Sequence, residues 1–351
     1  MNNESVIKSR FEENGKVFET GAPVTGAVSI ENAVAVGFGD GSIRFFWPDN
    51  DPLEVQAHSG AILSIASSND GVITGGQDGR FLKISTNAEV EEIYNFGTRW
   101  VDNVAAYESM VLCSSGKNVY IWSDENDKPK ILEHQSTIGG IAIDQNGRRI
   151  AVSCYGGVTL WRLEKNKWKS SKFAWKGSHG KVGFSPDGKY LVTTMQENEL
   201  HAWRIRDKAS FAMSGYPSKV KSFTWAGDNP YLVTAGAKEA ICWPFDGKEG
   251  PKGRKPLCIA SGGQQNATFV ESLPGEKAVF AGFRNGMVLL SELSEHPNDV
   301  LIQNPTGSEV SNISISPDRS HILVGDSKGQ ILWSPLWEQE NGRYVSEKNI
   351  K

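Results

Sequence analysis

The chain has 351 residues, of which 38% are hydrophobic and 22% charged, with a net charge of −4 and a pI near 5.9. This composition is typical of a folded globular protein and excludes a largely disordered chain. A mildly acidic chain has no overall electrostatic attraction to nucleic acids or anionic membranes, so any such attraction must be local.

One phrase recurs eight times along the chain: a run of β-forming residues, a polar turn, and a second run that ends in tryptophan or another apolar residue. The first copy is AVAVGFGDGSIRFFW, starting at Ala33, and the last copy starts at His321. Trp122, Trp161 and Trp203 end three consecutive copies, about 40 residues apart, which is the length of a four-stranded propeller blade. An apolar segment precedes each phrase and a more polar one follows it. We therefore assign strands a, b, c and d to each copy, from the axis outwards.

These repeats predict an all-β fold, an eight-bladed β-propeller of four-stranded antiparallel blades, with seven blades as the alternative. The predicted propeller covers residues 16–335, between an N-terminal arm of residues 1–15 and a C-terminal tail of residues 336–351. Residues 16–20 have the pattern of a d strand, so we expect the N-terminal segment to complete the last blade and close the ring. The alternative closure uses residues 343–346 and leaves the N-terminus loose.

The repeats resemble the WD-repeat family over about residues 15–335. The resemblance is carried by HSGAILSIA from His58, by HGKVGFSPDGKYLVTT from His179, by the Trp-ended c strands, and by Asp40 and Asp78 in the b–c turns. It implies a role as an interaction scaffold. The Trp-Asp dipeptide itself never occurs, so the hydrogen-bonded His, Ser/Thr, Asp and Trp set that braces a blade in this family is expected to be partial at most. We expect apolar packing between sheets to supply most of the stability, with Trp161 and Trp203 buried there.

The sequence carries no motif of a metal, nucleotide or hydrolase site. The six histidines form no HExxH, the glycines of residues 37–41 lie between two strands, and there is no GxSxG. We therefore expect no catalytic activity, no metal and no cofactor. The four cysteines form no CxxC, and no apolar run is long enough to cross a membrane, which predicts a cytoplasmic protein without a membrane partner.

In a propeller, the b–c and d–a loops emerge on one face, here called the upper face, and the a–b and c–d connections on the lower face. Some positions of the upper-face loops carry a large or cationic residue, although a small polar residue would be sufficient to form the turn. Such residues dominate interface hot spots, and the alternative for each is packing against a neighbouring blade. The candidate partner-binding residues of the upper face are Phe38, Arg99, Trp100, Tyr155, Tyr216, Lys219, Phe283 and Arg284.

The c–d connections divide the lower face by charge. They are acidic in blades 1, 2, 3 and 7 and basic in blades 4, 5 and 6. We call the basic set the basic sector; it comprises Lys165, Lys167, Trp168, Lys169, Arg204, Arg206, Lys252 and Arg254. Either these side chains form a solvated surface without a role, or they form a docking site for an acidic protein or a phosphate backbone, with Trp168 available for stacking.

The sequence favours an interaction scaffold without chemistry of its own, which binds one or more proteins through loops of the propeller faces. Two alternatives stay open. One is a nucleic-acid-associated module that uses the basic sector, and the other is a small-molecule binder or enzyme with its site in the axial channel. The identity of the partner and the oligomeric state are left open.

Overall fold

A computed structural model of the chain describes residues 7–123, 126–227, 230–247, 249–337, 339–340 and 343–344. One short helix, α1 (Arg10–Asn14), precedes the strands. The first half of the chain forms β1 (Lys16–Glu19), β2 (Val24–Ile30), β3 (Ala33–Phe38), β4 (Ser42–Phe46), β5 (Leu53–Gln56), β6 (Ile62–Ser68), β7 (Gly71–Gly76), β8 (Arg80–Ser85), β9 (Val90–Asn95), β10 (Asn103–Tyr107), β11 (Met110–Ser115), β12 (Asn118–Ser123), β13 (Asn126–Glu133), β14 (Ile138–Ile143), β15 (Arg149–Glu164) and β16 (Lys167–Phe184).

The second half forms β17 (Tyr190–Met195), β18 (Leu200–Arg204), β19 (Ser210–Met213), β20 (Phe223–Ala226), β21 (Tyr231–Thr234), β22 (Ala240–Pro244), β23 (Leu257–Ile259), β24 (Ala267–Ser272), β25 (Ala278–Phe283), β26 (Val288–Glu292), β27 (Asp299–Gln303), β28 (Val310–Ile315), β29 (His321–Asp326), β30 (Gln330–Pro335), β31 (Gln339–Glu340) and β32 (Arg343–Tyr344). The predicted all-β character is confirmed by these elements.

Antiparallel pairing joins the strands into sheets that are arranged in a ring. Six sheets have four strands each: β2 to β5, β6 to β9, β10 to β13, β20 to β23, β24 to β27, and a last sheet in the order β1, β30, β29, β28. A seventh sheet contains the six strands β14 to β19 in chain order, and β31 and β32 form a separate pair. The inner strands of neighbouring sheets contact one another, so they surround a central axis.

The predicted number of eight blades is wrong. Counted by hydrogen-bonded sheets, the ring has seven blades, because the segments predicted as blades 4 and 5 are joined in the six-stranded sheet. Strand β15 is continuous through the predicted b and c strands of blade 4, and β16 is continuous from its d strand into the a strand of blade 5. Gly156 and Gly157 have φ angles of 83° and 119°, which glycine adopts readily, so the backbone changes direction there while the pairing of β15 with β16 continues. The six-stranded sheet therefore supplies two inner strands, β14 and residues 179–184.

Burial decreases from the middle strands to the rim of each sheet. Strands β3, β7, β17 and β29 are completely buried, as expected for nearly continuous apolar runs, whereas the rim strand β9 is mostly exposed. Apolar side chains of adjacent sheets pack together in separate clusters around the ring. One such cluster places Val34 and Val36 of β3 against Leu323 and Ile331 of the last sheet. The core therefore lies between the sheets, and apolar burial there stabilises the ring.

The N-terminal strand closes the ring, and this prediction is confirmed. Strand β1 pairs with β30 along its whole length, with Val17 opposite Leu332 and Phe18 opposite Ile331. The alternative closure through residues 343–346 is excluded, because β32 pairs with β31 and β1 already occupies the edge of β30. Leu336, in the predicted C-terminal tail, is buried against the last sheet, and most of that tail lies outside the described residues.

Helix α1 fixes the segment that precedes β1. Ser9 and Glu12 form a capping box, in which Glu12 N donates to Ser9 Oγ (3.2 Å) and Ser9 N donates to Glu12 Oε2 (2.8 Å). The helix buries Phe11 against the last sheet, and Ser334 Oγ donates to the Phe11 carbonyl (2.8 Å). Part of the predicted N-terminal arm therefore packs on the propeller.

Two hydrogen-bonded sets connect a histidine to the strands of a sheet, and both contain part of the His, Ser/Thr, Asp and Trp set of the WD-repeat resemblance. His58 bonds through Nδ1 to Asp78 Oδ1 (2.9 Å) and through Nε2 to Thr74 Oγ1 (2.9 Å), but no tryptophan completes this set. His179 bonds through Nδ1 to Thr193 Oγ1 (2.8 Å) and contacts the Trp203 ring. The bracing sets are therefore partial, as the sequence predicted.

Trp203 lies at the centre of the six-stranded sheet's core. It is 1% exposed and packs against Phe173, His179 and His201, with ring centroids 4.5 to 6.4 Å apart. Burial lowers the pKa of His201 to about 4, so this histidine is neutral at pH 7. Trp161 is partly buried and packs against the neighbouring cluster, and its Nε1 donates to His134 Nε2 (3.1 Å).

Candidate functional site

The two faces of the propeller are set by hydrogen bonds between its loops. On the upper face, the b–c turns bond to the d–a loops, as in Gln77 N to Ala61 O (3.0 Å) and His134 N to Lys117 O (3.0 Å). On the lower face, the c–d connections bond to the a–b turns, as in Ile205 N to Lys189 O (2.8 Å). These bonds recur around the ring, so each face presents a set of loops with a fixed backbone.

Three of the predicted upper-face residues are in the core. Phe38 and Phe283 are fully buried between sheets, and Tyr216 is buried as well. Phe38 and Phe283 are the last residues of β3 and β25, and Tyr216 lies in the loop between β19 and β20; apolar side chains of the core cover all three. The structure therefore corrects their selection as contact residues, and packing against a neighbouring sheet, the alternative considered for each, is what they do.

Tyr216 has a bracing role that the sequence analysis missed. Its Oη is hydrogen-bonded to Thr234 Oγ1 (2.7 Å) and accepts a bond from Trp243 Nε1 (2.7 Å). The same position before the inner strand holds His179 in the preceding repeat, which bonds Thr193 in the same way. The sequence signal was a Tyr, a Thr and a Trp in the same order as the His, Thr and Trp one repeat earlier, but with a spacing of 18 residues instead of 14 from the first to the second.

Five of the predicted upper-face residues are exposed. Trp100 is 53% exposed and Tyr155 70% exposed, the largest values for aromatic side chains in the described residues. Arg99 is exposed and lies over the Phe96 ring, with 5.7 Å from its guanidinium carbon to the ring centroid. Lys219 and Arg284 are exposed on the other side of the axis. The upper face therefore presents two aromatic side chains and several cations on loops whose backbone is held by hydrogen bonds.

The basic sector lies in adjacent connections of the lower face. Lys208 Nζ donates to the Lys172 carbonyl (3.0 Å), and Arg204 Nη1 donates to Glu249 Oε1 (3.3 Å), which links the three predicted basic connections to one another. Lys165, Lys167 and Lys252 are exposed.

Carboxylates neutralise most of the other charges of the basic sector. Ion pairs join Lys169 to Glu164, Arg204 and Arg206 to Asp207, and Arg254 to Asp246. Arg204 is buried, and Trp168 is partly buried against the core, which corrects the expectation that both side chains are free for a partner. Asp207 has its pKa lowered to about 2 by its hydrogen bonds to Arg204, so it stays ionised and keeps this pairing at neutral pH.

The opposite part of the lower face is acidic, as the sequence predicted for the connections that the structure describes. Two shallow cavities of about 540 and 500 Å³ lie there side by side, and both include Glu31 and Asn32. Their other charged lining residues are Asp49, Asp70, Lys83, Glu89, Glu91 and Asp318. The lower face is thus divided into an acidic part with few cations and a basic part in which cations and carboxylates alternate.

The axial channel carries a lysine and a glutamate that the sequence analysis did not single out. Lys181, on the inner strand of residues 179–184, donates to the Phe223 carbonyl (3.2 Å) and lies over the Phe223 ring. Glu271, on β24, accepts from Ser272 N (3.2 Å). Burial raises the pKa of Glu271 to about 7. The only sequence signal for either residue was a charged side chain inside or beside an apolar inner strand.

Among the residues described, no three His, Cys, Asp or Glu side chains are grouped as metal ligands, and no helix is both long and apolar enough to cross a membrane. The only helix in that part of the chain is α1, which has five residues.

Comparison with known proteins identifies the fold but no sequence family. No family model and no curated protein matches the chain by sequence. Among solved structures, the chain is similar to the computationally designed Ika8 protein, with a TM-score of 0.72 and 16% identity, covering 91% of this chain and 98% of that one. It is also similar to a chain of the mitotic checkpoint complex, with a TM-score of 0.62 and 15% identity, covering 79% and 90%. The protein is a β-propeller.

Proposed function

We propose that the protein is a divergent WD-repeat propeller that serves as a protein-interaction module without catalytic activity of its own. The partial braces around His58 and His179 support the WD-repeat assignment, because they join a residue before the inner strand to a Thr of the next strand, as the resemblance implies. The structurally similar chain of the mitotic checkpoint complex belongs to a protein assembly, and this analogy of fold also supports a role in protein binding.

The observation that carries the proposal is the pair of exposed aromatic side chains on the upper face, Trp100 and Tyr155. Trp and Tyr bury a large area at low cost in conformational entropy, and these types are enriched at the centres of protein interfaces. The backbone on either side of Trp100 is held in place by bonds of Val101 N to Gly76 O (3.1 Å) and Phe96 N to Gly79 O (2.8 Å). A rigid loop loses little entropy when a partner binds.

A nucleic acid is not favoured as the partner. Binding to phosphates needs cations that are free to replace counterions, and its strength depends on their number. In the basic sector, Lys169, Arg204, Arg206 and Arg254 already have carboxylate partners, and Trp168 is partly buried. Of the sector's seven cations, only Lys165, Lys167 and Lys252 are exposed without a carboxylate partner among the described residues, and the sector has no fully exposed aromatic ring for base stacking.

A cytoplasmic location belongs to the same proposal. Cys113, Cys154 and Cys242 are buried as free thiols, Cys258 is exposed, and none of them is paired within the described residues. Unpaired thiols are typical of proteins from reducing compartments.

Replacement of both aromatic side chains tests the proposal. We expect the Trp100→Ser, Tyr155→Ser double variant to fold normally, because both side chains are exposed, and to lose its partner. In affinity capture from the native organism, followed by quantification of a protein that co-purifies with the wild type at fixed stoichiometry, recovery should fall by at least about thirtyfold, the loss expected for two hot-spot aromatics.

A control variant with the same kind of change is Tyr94→Ser, Leu301→Ser, which removes two partly exposed apolar side chains from the rim strands β9 and β27. It should recover as much partner as the wild type. Equal recovery with the upper-face variant and the wild type would exclude the upper face as the binding surface.

A further inference from the structure

Four cations surround one side of the channel mouth on the upper face. We call Lys219, Lys221, Lys238 and Arg284 the upper cationic cluster; all four side chains are exposed. Their loops are bonded to one another, since Asn266 Nδ2 donates to Ser218 Oγ (3.2 Å) and Arg284 N donates to Asn266 O (3.0 Å). The cluster therefore sits on one connected surface, and its spacing does not depend on independent loop motions.

The cluster has few carboxylate partners. Lys219 Nζ donates to Gln196 Oε1 (2.6 Å) and Lys238 Nζ to Gln264 Oε1 (2.7 Å), so each bonds a neutral amide. Lys221 and Arg284 share a single carboxylate, that of Glu309, at 3.1 and 3.8 Å. Among the described residues, four positive charges thus contact one negative charge.

Two other carboxylates stand in the same loops but are directed elsewhere. Glu197 lies over Gly177 in the preceding d–a loop, where a Cβ would come within 3.0 Å of its Oε1. Glu239 is hydrogen-bonded to the thiol of Cys258 on the rim strand β23, and desolvation together with this carboxylate raises the pKa of the thiol. Neither carboxylate is ion-paired with the cluster.

The upper cationic cluster contacts one carboxylate for its four cations, whereas the basic sector contacts four, Glu164, Asp207, Asp246 and Glu249, for its seven cations, of which Lys165, Lys167 and Lys252 are exposed. In the basic sector, Asp207 alone contacts two arginines, and Glu164 and Asp246 neutralise two further cations. In the upper cationic cluster, two lysines have only amide partners. A carboxylate of a ligand adds a charge–charge attraction to the ammonium group that a neutral amide does not supply, so replacing these amides by carboxylates is favourable.

We propose that the upper cationic cluster binds an acidic segment of the partner protein, whose carboxylates take the places of Gln196 and Gln264 on Lys219 and Lys238. This inference rests on the proposed function, since it concerns the same face. Acidic residues of the partner that lie over the channel mouth would also pair with Lys221 and Arg284, which Glu309 only partly neutralises. Trp100 and Tyr155 would supply apolar contacts elsewhere on that face, and the cluster would favour partners with an acidic segment over neutral or basic ones.

The test uses two charge-matched variants. Lys219→Gln, Lys238→Gln, Arg284→Gln removes three charges from the upper face, and Lys167→Gln, Arg206→Gln, Lys252→Gln removes three from the lower face. The probes are a fluorescent glutamate-rich peptide, a lysine-rich peptide of equal length and a single-stranded oligonucleotide, each measured by fluorescence anisotropy at increasing salt. Melting curves establish that both variants are folded.

We expect the wild type to bind the glutamate-rich peptide in a salt-dependent manner and not the lysine-rich peptide. The upper-face variant should bind it at least about tenfold more weakly, because charge-assisted hydrogen bonds are lost, and the lower-face variant should bind it as the wild type does. No binding of the glutamate-rich peptide, or equal loss in both variants, overturns the inference. So does tighter binding of the oligonucleotide than of the peptide through the upper face, which would assign the cluster to nucleic acid.

The captured partner separates this inference from the proposed function. If the Trp100 and Tyr155 variant loses the partner while the upper-face charge variant retains it with unchanged salt dependence, the upper face binds a partner but the cluster does not select it. If neither variant loses the partner, both proposals fail.

Discussion

Replacing Trp203 by Ala is expected to lower the free energy of unfolding by about 3 to 5 kcal/mol, the cost of deleting a large buried aromatic side chain. Trp203 is 1% exposed and packs against Phe173, Val158 and Leu191 in the core of the six-stranded sheet. Its removal would leave a cavity between β15, β16 and β18, because strands fixed in a hydrogen-bonded ladder relax only partially. Denaturant titration followed by circular dichroism measures the loss.

Trp100→Ala is the matched control for this experiment. It makes the same chemical change on the upper face, where the side chain is 53% exposed, and should change the stability by less than about 0.5 kcal/mol. A loss below about 1 kcal/mol for Trp203→Ala would mean that the indole is not part of a packed core.

Deleting residues 1–20 is expected to lower the melting temperature strongly and to cause aggregation. The deletion removes β1 and α1, which exposes the edge of β30 and the side chains of Leu332 and Ile331 that lie opposite Val17 and Phe18. An unpaired edge strand with apolar side chains pairs readily with other chains. Differential scanning calorimetry and light scattering measure both effects.

Two controls separate ring closure from a general effect of shortening. Deleting residues 338–351 should leave the melting temperature nearly unchanged, and a synthetic peptide of residues 7–20 added to the N-terminal deletion should raise it again by pairing with β30. A normal melting curve for the N-terminal deletion, together with a lowered one for the C-terminal deletion, would contradict closure by β1.

The sequence predicted the strands well because each repeat has its own apolar and turn signals. The period of about 40 residues placed the b and c strands, and the pattern of residues 16–20 identified the closing strand. The number of blades was wrong for a physical reason. A sheet boundary depends on where hydrogen bonding stops, and glycines such as Gly157 keep β15 continuous where a turn pattern predicts a break.

The candidate site was predicted less well, because burial at a strand end depends on the neighbouring sheet. Phe38 and Trp100 both follow predicted strands, but only Phe38 is covered by an adjacent sheet. The sequence also did not show which cations of the two faces have carboxylate partners. Arg206 finds Asp207 one residue away, whereas the partner of Lys219 is Gln196 in another turn, and only the fold brings those two together.

The most direct test of the interaction module is hydrogen–deuterium exchange of the whole chain, alone and with its captured partner. The proposed function predicts protection of the upper loops around Trp100, Tyr155 and Lys219, with the c–d connections of Lys167 and Lys252 unchanged. Protection confined to those lower connections, with unaltered exchange in the upper loops, would contradict it.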